Sequence, residues 1–392
     1  MPSASLFSYL THLECSRCGA TRGADQLHTF CPACQTPLLA RYDLAAAAQA
    51  LRREDFAARP RGMWRWHELL PVQRAENALS LGEGDTPVLR LPRLAAQLNL
   101  PNLALKEESL NPTGTFKARG QAAAISRALE LGARRLTIPT AGNAGGAMAA
   151  YAARAGIPAR VFMPADTPRA NIEECRIAGA EVSLVEGLIN DAARLSAEFS
   201  RASGAFDVST FKEPYRMEGK KIIAYEIAEA YRWRLPDVII YPAGGGMGLA
   251  AIWKGFLELT RLGWLDAERL PRMVAVQASG CAPVVAAFQQ RAETCAFWPD
   301  ARTRAAGLRV PKSFGDRLIL QTLYQSGGCA AAVSDDEMQQ AQQWLAGSEG
   351  IFAAPEGAAT LAIVPRLLET GWLQPDEQVL LLNTGSGLKY LD

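Results

Sequence analysis

Val238-Ile239-Ile240-Tyr241-Pro242-Ala243-Gly244-Gly245-Gly246-Met247-Gly248 opens with four apolar residues that do not alternate with polar ones. That is the pattern of a strand buried on both faces of a parallel sheet. The glycines end the strand, and helical spacing resumes at Leu249–Leu259. Consecutive glycines let backbone N–H groups converge on one concavity, and the start of the next helix adds partial positive charge. Gly244, Gly245, Gly246, Met247 and Gly248 therefore read as a phosphate cradle. The turn lacks the Lys-Ser or Lys-Thr of a triphosphate loop and departs from the GxGxxG dinucleotide pattern, so a monophosphate suits it best.

The same alternation of strand and helix recurs outward from this turn. Leu136–Pro139 leads into Gly145–Ala155, and Ala159–Met163 into Asn171–Ala178; further strands read at Val182–Val185, Met273–Gln277 and Val379–Asn383. This predicts an α/β fold from about residue 80 onward, with parallel sheets flanked by helices. An alanine- and arginine-rich stretch over roughly 43–60 reads as one more helix. The 392 residues are 49% hydrophobic and 21% charged, and 41 basic residues nearly cancel 40 acidic ones, a net charge of +1. That balance offers no electrostatic footprint for nucleic acid or anionic membrane, and points to a small-molecule substrate. No charge-free apolar run of about 18 residues occurs. The first residues lack the features of a signal peptide, so a cytoplasmic protein is expected.

In open α/β sheets ligands sit at the carboxyl ends of strands, which directs attention to three more turns. Asn111-Pro112-Thr113-Gly114-Thr115-Phe116-Lys117 runs into the helix Gln121–Leu131. A lysine near the positive end of a helix dipole loses basicity, which suits an amine that forms a Schiff base; a solvated surface lysine fits the same spacing. Thr140-Ala141-Gly142-Asn143 follows a strand and precedes a helix of small residues. Asn143 there is either a hydrogen-bond donor to a ligand oxygen or an ordinary cap. Asn383-Thr384-Gly385-Ser386-Gly387 follows the last strand. The Thr384 hydroxyl could face a ring nitrogen and leave it unprotonated, or the segment is a plain terminal turn.

Four of the eight cysteines form two Cys-x-x-Cys pairs, Cys15 with Cys18 and Cys31 with Cys34. Two such knuckles about a dozen residues apart can bring four thiolates to the corners of a tetrahedron, so residues 10–40 read as a ribbon around a structural zinc. Two redox-active pairs are the alternative.

A lysine turn, an asparagine turn, a glycine phosphate cradle and a late Thr-Gly-Ser-Gly, in that order, resemble the fold-type II, tryptophan synthase beta-like, pyridoxal-phosphate enzymes. Leu81-Gly82-Glu83-Gly84-Asp85-Thr86-Pro87, the Lys117 turn and Glu213-Pro214-Tyr215-Arg216-Met217-Glu218-Gly219-Lys220 are similar to the threonine synthase-like members. So is a zinc ribbon ahead of the catalytic body. The resemblance covers residues 80–392 and implies pyridoxal 5'-phosphate as cofactor. Lys117 would bond it covalently and serve as the base, Phe116 would lie beside its ring, Asn143 would hold the ring's 3' oxygen, the 244–248 turn the phosphate, and Thr384 the ring nitrogen. Thr140, Ala141 and Gly142 would receive the substrate carboxylate, with Arg216 also at the substrate.

The reaction implied is that of threonine synthase, from O-phospho-L-homoserine and water to L-threonine and phosphate. The alternative keeps the cofactor and changes the chemistry, to β-replacement as in cysteate synthases or to an amino-acid ammonia-lyase. Ala144 and Glu213 stand where a hydroxyl residue and an asparagine often occur in threonine synthases, and a carboxylate repels an incoming phosphate. Arg216, Lys220 and Lys106 are candidate cations in compensation. The expected units are 1–42, holding the ribbon; 43–125 with 217–392, a large cofactor-binding domain; and 126–216, a small mobile domain. A homodimer is expected from the resemblance.

Overall fold

The computed structural model describes residues 6–187 and 189–391; residues 1–5, 188 and 392 of the expected units lie outside them. Three sheets account for the strands. The first is an antiparallel ribbon in the order β2-β1-β3, built from β1 (Leu10–Cys15), β2 (Thr21–Gly23) and β3 (Leu38–Tyr42). The largest has six strands: β4 (Val88–Arg90), β5 (Leu103–Glu107), β10 (Val238–Pro242), β11 (Arg272–Ala278), β12 (Cys329–Val333) and β13 (Val379–Asn383). Its order is β12-β11-β10-β13-β5-β4, parallel except for the antiparallel edge strand β4. The third sheet is wholly parallel in the order β8-β7-β6-β9, from β6 (Leu136–Pro139), β7 (Ala159–Pro164), β8 (Glu181–Val185) and β9 (Phe206–Asp207). It lies in the chain between β5 and β10, within the segment expected to form a smaller unit.

Both parallel sheets reverse strand order at the same kind of place. From β6 the chain proceeds to β7 and β8 on one side, and β9 returns to the other; from β10 it proceeds to β11 and β12, and β13 returns to the other. The glycine turns 140–146 and 243–248 leave the carboxyl ends of these two strands. A reversal of this kind opens a crevice between diverging connections, where such folds bind ligands.

Every residue of β10 and of β13 is buried, as their unbroken apolar runs predict. Three helices start earlier than the sequence suggests, at Lys117, Ala144 and Met247. Each first turn holds at least one glycine, Gly120, Gly145 with Gly146, and Gly248, a poor helix former that reads as loop. In the fold these small residues leave the first N–H groups uncovered. The 43–60 stretch is not one helix. Leu44–Ala50 is helical, Leu51 is extended, and a separate turn at Arg53–Ala58 buries Phe56 against Trp66, with ring centroids 4.3 Å apart.

Two buried helices, Lys117–Glu130 and Arg216–Ala230, cross at glycines. A Cβ on Gly219 would overlap the carbonyl of Arg119, and one on Gly120 would lie 3.0 Å from the carbonyl oxygen of Arg216. The crossing brings the first turns of both helices to the same place. The ribbon packs on this body: Leu10, Leu13, Leu38 and Tyr42 share a cluster with Ala124 and Tyr215, and Arg127 donates to the carbonyl of Ala24 at 2.6 Å. No helix among the described residues is long and apolar enough to cross a membrane.

Candidate active site

The turns after β5, β6, β10 and β13 meet around a cleft of about 840 Å³. Phe116, Lys117, Thr140, Ala141, Gly142, Asn143, Gly244 through Gly248 and Thr384 all line it. Arg216 does not. Its guanidinium is fully buried behind the wall, with Nη1 donating to the carbonyl of Val208 at 2.7 Å while Nε and Nη2 have no partner.

Lys117 is held from both sides. The Phe116 N–H donates to the Thr384 carbonyl at 3.1 Å and the Ser386 N–H to the Gly114 carbonyl at 3.0 Å, so the first and last turns are stitched together. The lysine begins its helix with its ammonium group 4.6 Å from the centre of the Phe116 ring. Burial, reinforced by the Arg216 guanidinium and opposed by Glu356, pushes its pKa down to about 8. The amine thus carries an appreciable neutral fraction near physiological pH, the state in which it is a nucleophile.

At the opposite wall, Gly246 has φ +67° and caps the Met247–Arg261 helix, so the backbone doubles back at the helix start. A Cβ at Gly246 would overlap Ile319 and one at Gly244 the carbonyl of Gly307. Side chains are excluded from the cradle and its N–H groups stay accessible to an anion. The side-chain oxygen of Asn143 and one oxygen of Glu356 are buried without partners. Glu356 otherwise accepts from the Gly307 N–H at 2.7 Å and from the Tyr390 hydroxyl, beside Asn143. Unsatisfied buried polar atoms around a cavity are what a polar ligand completes.

Two cations considered from sequence separate here. Lys220 lines the cleft, its Nζ 4.8 Å from the centre of the Phe116 ring. Lys106 is withdrawn from it, bonded to Glu226 at 2.7 Å and to the Thr86 carbonyl at 2.5 Å. Glu213 also turns away from the cleft: its carboxylate accepts the N–H groups of Tyr215 (2.6 Å) and Arg216 (2.9 Å) at the start of its own helix. Burial, against the pull of Arg216, pushes its pKa up to about 7. The segment 297–314, with Phe297, Trp298, Arg309 and Phe314, forms much of the cleft's remaining wall. No periodicity in the sequence singled it out.

A match to the family model described as "Pyridoxal-phosphate dependent enzyme" spans residues 79–385, which contain Lys117, the Asn143 turn, the glycine cradle and Thr384. The chain belongs to this family. It is 35% identical over 377 residues to a threonine synthase of Methanocaldococcus jannaschii, covering 96% of this chain and 92% of that one. A threonine synthase of Methanosarcina acetivorans is 34% identical with the same coverage. Among solved structures, maize serine racemase superposes with a TM-score of 0.67 at 20% identity, over 78% of this chain and 88% of that one, a likeness of fold. The fold-type II architecture expected from the sequence is therefore the one found, and the chain is a pyridoxal-phosphate-dependent enzyme of threonine synthase type.

Away from the cleft, Cys15, Cys18, Cys31 and Cys34 place their sulfurs within 4.8 Å of one another. The Cys18–Cys31 and Cys18–Cys34 separations are both 3.8 Å. That is about the edge of a tetrahedron with zinc–sulfur bonds of about 2.3 Å. The N–H groups of Arg17 and Cys18 point at the Cys15 sulfur at 3.4 and 3.5 Å, the bonds that neutralise thiolate charge in a metal knuckle.

Proposed function

We propose that the chain is a threonine synthase that converts O-phospho-L-homoserine and water to L-threonine and phosphate. The observation that carries the reading is the convergence of Lys117, the Asn143 turn, the glycine cradle and Thr384 on one cleft, in a chain that matches threonine synthases over nearly their whole length. The residues fit pyridoxal phosphate: a cleft-lining amine with no carboxylate partner for its aldehyde, a side-chain-free cradle for its phosphate, and the Asn143 amide and Thr384 hydroxyl for its ring. When bound, the cofactor supplies an electron sink for negative charge at the substrate α carbon.

Lys117 then bonds the cofactor between turnovers and carries protons to and from the substrate's α and β carbons. Thr140, Ala141 and Gly142 receive the carboxylate; the Thr140 hydroxyl holds this turn in shape by accepting the Gly142 N–H at 3.1 Å. Arg216, with two buried donors free, sits within electrostatic reach of Lys117 and supplies positive charge for the departing phosphate. Glu213, committed to its helix start, does not oppose that phosphate as the sequence alone suggested. The sheet β6–β9 and its helices, about residues 126–216, act as the moving wall against the 43–125 and 217–392 body. Its closure keeps water from the α carbon during proton removal.

The test is phosphate release from O-phospho-L-homoserine with threonine measured in the same tubes, beside Lys117→Ala. Lysine-dependent release with equimolar threonine is expected. Release without threonine, or none from protein that retains its bound cofactor, would move the assignment to β-replacement or deamination. The reading includes one structural zinc per chain at the four cysteines and a homodimer, checked by metal analysis and by mass in solution.

A further inference from the structure

Counting Lys117, half-buried in the cleft wall, with the four lysines buried in the body, four of these five have an evident reason to be charged or reactive. Lys106, Lys221 and Lys254 each face a carboxylate at 2.5–2.8 Å, and Lys117 is the amine assigned above. The fifth, Lys220, is 1% exposed and has no carboxylate within ion-pair distance among the described residues. Its Nζ lies 3.5 Å from the sulfur of Met247, the first residue of the helix that opens from the glycine cradle. The fold makes room for it: a Cβ at Gly120 would come within 3.1 Å of its Cε. A buried amine left unpaired in a cavity wall is costly, and it is retained where something charged completes it.

We propose that Lys220 is the counter-ion of a phosphate monoester bound in the cleft between Phe116 and the glycine turn. Burial, with Lys117 and Arg216 as like charges, drives its pKa well down, and Glu213, just before the start of its helix, only partly opposes this. Met247 brings no charge, and Asp207 is tied to Lys212 at 2.6 Å. Without an anion the balance at the Lys220 amine shifts toward the neutral form. Arrival of a phosphate dianion favours the ammonium form, so phosphate binding takes up a proton at this nitrogen. Two sources share this chemistry, the cofactor's phosphate and that of the substrate assigned under the proposed function, and the test separates them.

Full-length protein stripped of cofactor is titrated with pyridoxal phosphate and with pyridoxal, which bonds Lys117 equally but has no phosphate. The cofactor-loaded protein is titrated separately with inorganic phosphate. If the cofactor's phosphate is the partner, Lys220→Met weakens pyridoxal phosphate about 10- to 100-fold and leaves pyridoxal unchanged. If the substrate's is, the loss of similar size falls on inorganic phosphate. Unchanged affinity in both arms, with circular dichroism showing a folded variant, overturns the proposal. Should Lys220→Met fail to fold, calorimetry of the wild type in buffers of different ionisation enthalpy decides. Proton uptake with a phosphate ligand beyond that with pyridoxal is expected, and equal uptake overturns it. Schiff-base formation by pyridoxal reports on Lys117 in every case, so failure here and failure of the enzyme assignment are distinguishable.

Discussion

The crossing of the Lys117–Glu130 and Arg216–Ala230 helices has two sides, and they treat buried charge in opposite ways. On one side Arg119 bonds Glu108 through Nε at 2.6 Å and Glu226 through Nη1 at 2.6 Å, and Lys106 completes Glu226. Every charge there is matched. Although burial works against it, the Glu226 carboxyl is held well below the usual range by Arg119 and Lys106. On the other side, two residues from Arg119 and six from Glu226, Lys117 and Lys220 face a cavity without carboxylate partners, and Arg216 keeps two donors free. A network closed on itself fixes the geometry of the crossing, and an open one is completed by ligand. The contrast supports the proposed reading of the cleft side as the working face of the helix pair, independently of any motif.

Opening the working side further costs chemistry and leaves the fold intact. Lys117→Ala is expected to lower turnover by about 10⁴-fold or more, since nucleophile and base are one group. Its melting temperature should stay at or above wild type, because a half-buried amine with no carboxylate partner is removed; absorbance of the lysine-bound cofactor and a thermal melt check the two halves. Opening the closed side does the reverse. Glu226→Gln leaves Arg119 and Lys106 to share Glu108, and breaking a buried ionic network costs about 3–5 kcal/mol. Chemical denaturation should show that loss, while the variant that remains folded keeps its cofactor absorbance. A Glu226→Gln protein as stable as wild type would erase the distinction.

Much of the working side was legible in the sequence because strand ends, glycines and a lysine at a helix start are local signals. Val238–Tyr241 with its glycines located the cradle, and the two Cys-x-x-Cys pairs located the sulfur cluster. The assignment of the cations was not legible. Lys220 and Lys221 are adjacent and chemically alike, yet a rotation of about 100° per residue around the helix sends one into the cleft and the other to Glu218 and Glu258. Lys106 and Glu213, both weighed as parts of a phosphate site, turn to partners far away in the chain or to their own helix start. Segment 297–314 escaped because an irregular wall leaves no period to detect.

The open side should also show itself in pH dependence. Only the neutral amine attacks the cofactor's aldehyde, so with Lys117 at about 8 the rate of cofactor capture rises about tenfold between about pH 6 and 7 and levels off above about pH 8. A rate still climbing steeply toward pH 10 would mean an ordinary exposed lysine. Stopped-flow absorbance with pyridoxal phosphate reads it directly.

The smallest effect belongs to a pair that is closed but near the surface. Lys389, just past the Thr384 turn, bonds Glu174 at 2.5 Å, and their side chains are 16% and 23% exposed. Glu174 lies on the Arg169–Ile177 helix beside the sheet β6–β9, so the pair ties that sheet's side of the cleft to the end of the chain. Water competes for both partners, and such pairs contribute about 1 kcal/mol or less. Lys389→Met should therefore lower the melting temperature by no more than about 2 °C, and added salt should shrink the difference because screening reaches a partly exposed pair but not the Arg119 network. A loss as large as that of Glu226→Gln, indifferent to salt, would place Lys389 with the buried networks and make this contact a fixed part of the fold.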